Sequence, residues 1–179
     1  FLTDFNNDGL AEIPIGRIPA RSGADVSLVL NKVTTFEQNL NQAMSRGALC
    51  VSDLPVGYDF TALCNRVFGE LSANFNKTYI NRGDIEAHNL LMNSLNAGKY
   101  IVNYSGHGSV TAWTSASGFF NSSHVGQLTN SGNLTIFTML TCLNGYFVEP
   151  GLSFGESALF APNGGAVAAW ASSGLTTPD

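Results

Sequence analysis

Two side chains in this sequence stand where reactive groups are useful. Cys142 follows the apolar run Thr135–Leu140 and precedes Leu143–Asn144–Gly145, so it sits where a strand gives way to a turn. A cysteine kept for packing belongs inside such a run. A thiol attacks as its thiolate, which a neighbouring imidazolium or the backbone amides of a strand tip stabilise. His107 lies in Asn103–Tyr104–Ser105–Gly106–His107–Gly108–Ser109, just after a second strand and between two glycines. Glycines there permit close backbone approach, and the Gly108 amide can be aimed at a ligand oxyanion. A cysteine and a histidine at neighbouring strand ends are the parts of Cys/His nucleophilic catalysis.

Other chemically able residues have simpler readings beside them. Asp53 ends a strand, where a carboxylate caps the following loop or orients the imidazole of His107. Asp59 is placed to cap the first turn of a helix. Asp4, Asn6 and Asp8 are spaced two apart with Gly9 in sixth place, as in the first half of an EF-hand loop, but the twelfth position is Ile15 and the bidentate carboxylate is missing. The segment is therefore a calcium site closed by residues elsewhere, or an Asx-rich turn. His88 falls on the apolar side of a helix and reads as a hydrogen-bonded, half-buried histidine. His124 begins a short polar helix and reads as surface. Cys50 within a strand and Cys64 on a helical stripe read as core. With three cysteines and no C-x-x-C pair, neither a disulfide framework nor a zinc site is expected, and at least one thiol should be free.

The elements that must hold these residues follow from periodicity. Ile13 to Ile18, broken by Pro14 and Gly16, reads as an edge strand or extended lead-in. Ser22 with Asp25 resembles a capping box, and Val26, Val29, Leu30, Val33, Phe36 and Leu40 lie on one helical face, predicting a helix that ends near Arg46–Gly47. Strands are predicted at Ala48–Ser52, Lys99–Tyr104, Leu134–Leu140 and Gly165–Ser172. Further helices are predicted from about Phe60, over Asp84–Ala97 with a stop at Gly98, and over Ser153–Phe160. This alternation indicates an α/β layer fold with a largely parallel sheet, in which ligands sit beyond the carboxyl ends of the strands. Asp53, His107 and Cys142 all leave strands at that rim.

Composition bounds the rest. The 179 residues suffice for one domain with a sizeable core. Charged residues are 12% of the chain, about half the usual share, so the polar surface is mostly neutral. A net charge of −5 and scattered Lys and Arg leave no basic stripe for a nucleic acid. No apolar run approaches the roughly 20 residues of a membrane span. The chain opens without Met in a polar loop and stops at Pro178–Asp179, as expected of a piece of a longer protein.

The motif around His107 with Ala112–Trp113 after it, the run His124–Val125–Gly126–Gln127–Leu128–Thr129–Asn130–Ser131, and Thr141–Cys142–Leu143–Asn144–Gly145–Tyr146–Phe147 together resemble the gingipain family of cysteine peptidases, relatives of the caspases. Ile15–Gly16–Arg17–Ile18–Pro19–Ala20 and Ala48–Leu49–Cys50 before Asp53 are similar too, so nearly the whole chain is covered in order. The resemblance implies a caspase-like three-layer α/β sandwich over residues 1–179, a catalytic-domain fragment flanked by other domains of its parent chain. It implies Cys142 as nucleophile, His107 as general acid and base, an oxyanion hole from the amides of Gly108 and Cys142, an acidic third residue at Asp53, and Asp59 as an S1 carboxylate for Arg or Lys. It further implies protein or peptide substrates, no required cofactor, and an extracellular or cell-surface location; a structural calcium rests on the Asp4, Asn6 and Asp8 spacing alone. Two alternatives stay open: a sortase-like transpeptidase of a bacterial secretion system, and a catalytically silent adhesion or scaffold domain.

Overall fold

The computed structural model describes residues 3–40, 46–114 and 118–177. In chain order the elements are α1 (Gly23–Asn39), β1 (Gly47–Ser52), α2 (Phe60–Gly69), β2 (Asn76–Asn81), α3 (Ala87–Asn96), β3 (Ile101–Ser105), β4 (Gly108–Ser109), β5 (Ala112–Trp113), β6 (Phe120–Asn121), α4 (Ser122–Val125), β7 (Thr135–Leu140), α5 (Phe154–Phe160) and β8 (Ala166–Ala171). The five long strands form one sheet in the order β2-β1-β3-β7-β8, with every neighbouring pair parallel. The three short strands pair antiparallel in a second sheet.

Alternation along the central strands separates two cores. Leu49 and Val51 of β1, Val102 and Tyr104 of β3, and Phe137 and Met139 of β7 face one side, packed with Leu91 and Leu95 of α3 and Phe154 of α5. Ala48 and Cys50 face the other side, against Cys64 and Phe68 of α2. Helices thus cover both faces, which gives the three-layer sandwich and explains why β1 is buried along its whole length. The second sheet plugs the first core with Trp113, whose ring stacks on Tyr104 at 4.4 Å and meets Phe120 at 4.9 Å. Helix α1 is tied to the carboxyl end of α5 by buried Lys32, whose ammonium donates to the carbonyls of Ala158, Leu159 and Gly164. Burial lowers its pKa to about 8.

Several expectations are corrected. Ile13–Ile18 forms no strand; Pro14 and Pro19 supply no N–H, and Ile13, Ile15 and Ile18 are exposed. Strand β2 is not expected from the sequence because Asn-Lys-Thr-Tyr-Ile-Asn has the polar character of an edge, with Ile80 its one buried residue. Helix α1 ends at Asn39, well short of Arg46–Gly47, since Leu40 turns extended; residues 41–45 lie outside the described ones. Helix α3 begins at Ala87, three residues after Asp84, because Glu86 takes a left-handed φ of 60°. The capping box at Ser22 and the left-handed stop at Gly98, φ 88°, are as expected.

Cys50 and Cys64 are buried, as expected of core residues, but they form a disulfide, with Cα atoms 6.0 Å apart. The odd cysteine count hid this pair. One faces α2 from the sheet and the other faces the sheet from α2, and only the layer packing brings them into reach.

Candidate active site

The parallel register sets three strand ends level. Ser52 of β1 lies beside Ser105 of β3, and Ser105 beside Leu140 of β7. Two backbone bonds carry the ladder one step further, from Asp53 N–H to Ser105 O and from Gly106 N–H to Leu140 O. Asp53, Gly106–His107 and Thr141–Cys142 therefore leave the sheet at one rim. His107 and Cys142 line a common cleft of about 520 Å³, with Phe60, Leu63, Leu140 and Trp170 as apolar wall and Ser172, Thr176 and Thr177 among its polar lining.

Glycine is required on both sides of His107. A Cβ on Gly106 would stand 2.5 Å from Asp53 Cβ and collide with the Tyr104 hydroxyl. A Cβ on Gly108 would collide with the Thr141 hydroxyl and lie 3.0 Å from the carbonyl oxygen of Cys142. The His107–Gly108 main chain is thus flush against the Thr141–Cys142 main chain. The Thr141 hydroxyl is buried there without a hydrogen-bond partner.

The His107 main chain is held at both its polar groups. Its N–H donates to Asp53 Oδ2 at 3.2 Å, and its carbonyl accepts from the Tyr104 hydroxyl at 2.7 Å and from the Thr114 amide. Burial first, then the charge of Asp53, pushes the Tyr104 pKa far above its ordinary value, so the hydroxyl keeps the proton it donates. The ring is held separately. Nε2 is 3.0 Å from the carbonyl of Val56, and the ring meets the edge of Phe60 with centroids 5.1 Å apart. A carbonyl only accepts, so neutral His107 carries its proton on Nε2 and has its lone pair on Nδ1.

Cys142 is partly exposed and is the free thiol among the described cysteines. Its Sγ accepts from the Thr176 amide at 3.4 Å and approaches the Thr176 carbonyl at 3.5 Å. The residue after it, Leu143, has φ 60°, the left-handed backbone that turns the chain sharply at the thiol. Thr176 reaches this place because the chain beyond β8 folds back, with Leu143 N–H bound to Gly174 O and Gly145 N–H to Ser172 O.

Asp53 is at the rim as expected but meets His107 at the main-chain amide; the imidazole's partner is Val56. Its other oxygen accepts from Arg82 Nε at 2.5 Å and from Leu54 N–H at 2.7 Å. Asp59 is exposed and caps α2 by accepting from the Ala62 amide at 2.9 Å, while the cleft is lined by its neighbour Phe60. His88 is half-buried with Nδ1 on the Phe119 carbonyl. His124 is half-buried too, with its ring centroid 4.5 Å from that of His88; burial, then His88, lowers its pKa. Val56, Phe60, Arg82, Tyr104 and Thr176 were not singled out from the sequence, since two act through main-chain groups and Arg82 follows an unforeseen strand.

Away from the cleft, carboxylate oxygens of Asp4, Asp8 and Glu12 lie within 4.8 Å of one another. Glu12 brings a third carboxylate to the loop where the EF-hand spacing lacked one, and an all-oxygen set is of the kind that suits a hard cation. The same loop is closed by Asx-type bonds, from the Asp8 and Gly9 amides to Asp4 and from the Asp8 amide to Asn6.

Comparison with known proteins gives the context. The family model for peptidase family C25 matches residues 1–179. Gingipain R2 of Porphyromonas gingivalis is 28% identical over 169 residues, covering 89% of this chain and 23% of the relative. A solved complex of the Porphyromonas gingivalis RgpB pro- and mature domains matches with a TM-score of 0.79 at 28% identity, covering 96% of this chain and 43% of that one. The crystal structure of the Arg specific cysteine proteinase gingipain R matches at 0.77, also at 28% identity, over 96% and 42% of the two chains. The chain spans about a quarter of that curated relative's length. The gingipain resemblance and the caspase-like layering read from the sequence are borne out.

Proposed function

The chain belongs to peptidase family C25, and from that membership we propose that it carries the catalytic centre of a cysteine endopeptidase acting on protein or peptide substrates. The observation that carries this reading is the convergence of His107 and Cys142 on one cleft, with Gly108 flush against the Cys142 main chain.

His107 Nδ1 takes the thiol proton of Cys142, while Nε2–H stays on the Val56 carbonyl and holds the ring. The Thr176 amide adds a donor to the resulting thiolate. The thiolate attacks the scissile carbonyl carbon, and the amides of Gly108 and Cys142 receive the oxyanion. His107 then gives its proton to the leaving amine, which departs and leaves a thioester on Cys142. Water attacks that thioester with His107 as base, releasing the acid and restoring the thiol.

Asp53 serves this centre by placing His107, and Asp59 is the candidate S1 carboxylate. Asp59 would have to leave the Ala62 amide to reach a basic side chain in the cleft. A structural calcium would be held by Asp4, Asn6, Asp8 and Glu12, outside the reaction. The disulfide supports an extracellular or cell-surface location, where such bonds persist, and because the chain spans 23% of a curated relative, flanking domains of a parent chain are part of the same proposal.

Cleavage of a positional peptide library by the full-length parent tests the reading, with Cys142→Ala as control. Cleavage that Cys142→Ala abolishes supports it; cleavage that survives, or none under reducing conditions, opposes it. Products joined to an added amine would reveal transpeptidation. A preference for Arg or Lys at P1 that Asp59→Ala erases would place Asp59 in the pocket; an unchanged preference leaves it a helix cap.

A further inference from the structure

We propose that Arg82, through buried Asp53, is a positioning residue for His107, an inference that rests on the peptidase reading of the same cleft. The sheet brings the two together. Arg82 is the first residue after β2 and its amide donates to Ser52 O at 2.8 Å, extending the β1–β2 ladder by one step. Asp53 is the first residue after Ser52. The register therefore delivers Arg82 Nε to Asp53 Oδ1, at 2.5 Å.

Asp53 divides its oxygens between two tasks. Oδ2 receives the His107 amide. Oδ1 receives the Leu54 amide and so opens the tight turn, Val56 N–H to Leu54 O at 2.7 Å, that presents the Val56 carbonyl to His107 Nε2. One carboxylate thereby governs both the main chain of His107 and the acceptor that orients its ring. The side chain of Asp53 is 3% exposed, and a buried carboxylate is tolerated when it is paired and fully hydrogen-bonded. Among the described residues Arg82 is the cation that pairs with it. Without Arg82, the carboxylate turns toward water or draws other donors, and either response releases the His107 amide or the Val56 turn.

The role is one of placement, so its loss should appear in turnover rather than in substrate binding. A displacement of about 1 Å at a catalytic group costs on the order of a hundredfold in rate. The test uses the full-length parent carrying Arg82→Met or Arg82→Lys, with kcat and KM per titrated active site, the rate of Cys142 alkylation by iodoacetamide, and the urea midpoint. The expected result for Arg82→Met is a kcat lower by roughly ten- to a hundredfold, KM within about twofold, and slower alkylation, with partial recovery in Arg82→Lys. If Arg82→Met does not fold, Arg82→Gln, which keeps an N–H for Asp53 while removing the charge, takes its place with the same expectation. Unchanged kcat and alkylation in folded protein, or losses matching only the unfolded fraction, overturn the proposal. The alkylation arm separates the two readings: if no peptide is cleaved, the peptidase reading fails, while slower alkylation in Arg82→Met still upholds the placement of His107 by Arg82.

Discussion

Replacing Gly106 by Ala probes the rim with a single methyl group. The added Cβ would stand 2.5 Å from Asp53 Cβ and 2.6 Å from the Tyr104 ring carbon that bears the hydroxyl, where carbon atoms ordinarily keep about 3.5–4 Å. Neither neighbour can yield. Tyr104 is fully buried and lies parallel to Trp113 at an interplanar angle of 2°, and Asp53 is fixed by Arg82 and two amides. The backbone at Gly106 must move by about 1 Å, and His107 moves with it. Overpacking of this kind costs about 1–3 kcal/mol of stability, and if His107 is the base, as proposed, its displacement by about 1 Å costs about a hundredfold in kcat. Urea denaturation and kcat per titrated active site of the parent enzyme measure the two effects. Gly132→Ala, where nothing lies within 4 Å of the new methyl, is the control. Gly106→Ala with unchanged midpoint and unchanged kcat would refute the packing argument for the whole His107 loop.

Three further outcomes are expected. Burial holds the Lys32 pKa at about 8 against 10.5 for an ordinary lysine, so charging it opposes folding below pH 8 and this penalty is relieved as pH rises toward 10.5; stability relative to Lys32→Met should rise across that window, and a flat difference would contradict the burial. Breaking Cys50–Cys64, which closes a separation of 14 residues, by Cys64→Ala with Cys50→Ala should cost about 3 kcal/mol in urea denaturation, and no loss would deny the bond. If the Asp4–Glu12 loop holds calcium, unfolding in calcium a hundredfold above its Kd should exceed that in chelator by about 2.7 kcal/mol and Asp8→Ala should abolish the difference, whereas equal stability would leave the loop an Asx turn.

The placement of His107 and Cys142 at one rim was legible in the sequence because local signals marked it. A cysteine just past an apolar strand and a histidine between glycines announce a rim without any knowledge of the partner strands. The parallel sheet was legible for the same reason: β1, β3 and β7 are buried enough to read as apolar runs. What surrounds the pair was not legible, because it depends on the register. The Val56 carbonyl leaves no trace in side-chain type, and Arg82 matters only because β2 lies beside β1, on an edge whose polar residues disguise the strand. Asp53 was identified, but only the level ends of β1 and β3 direct it to the His107 amide instead of the ring. The disulfide leaves no local signal because Cys50 and Cys64 sit on different layers. Conversely, Ile13–Ile18 has strand-like composition, but Pro14 within it and Pro19 just after it deny it a ladder.

The central claim is that His107 activates Cys142, and alkylation of that thiol tests it most directly. With Cys50 and Cys64 bonded to each other, iodoacetamide without reductant has Cys142 as its free target among the three cysteines. At pH 6 an ordinary cysteine, with a pKa of about 8.5, is almost wholly protonated and reacts slowly. The parent enzyme should label at Cys142 at least about tenfold faster than its folded His107→Ala variant under those conditions. Equal rates in the two proteins, both at the level of an ordinary thiol, would contradict the pairing of His107 with Cys142.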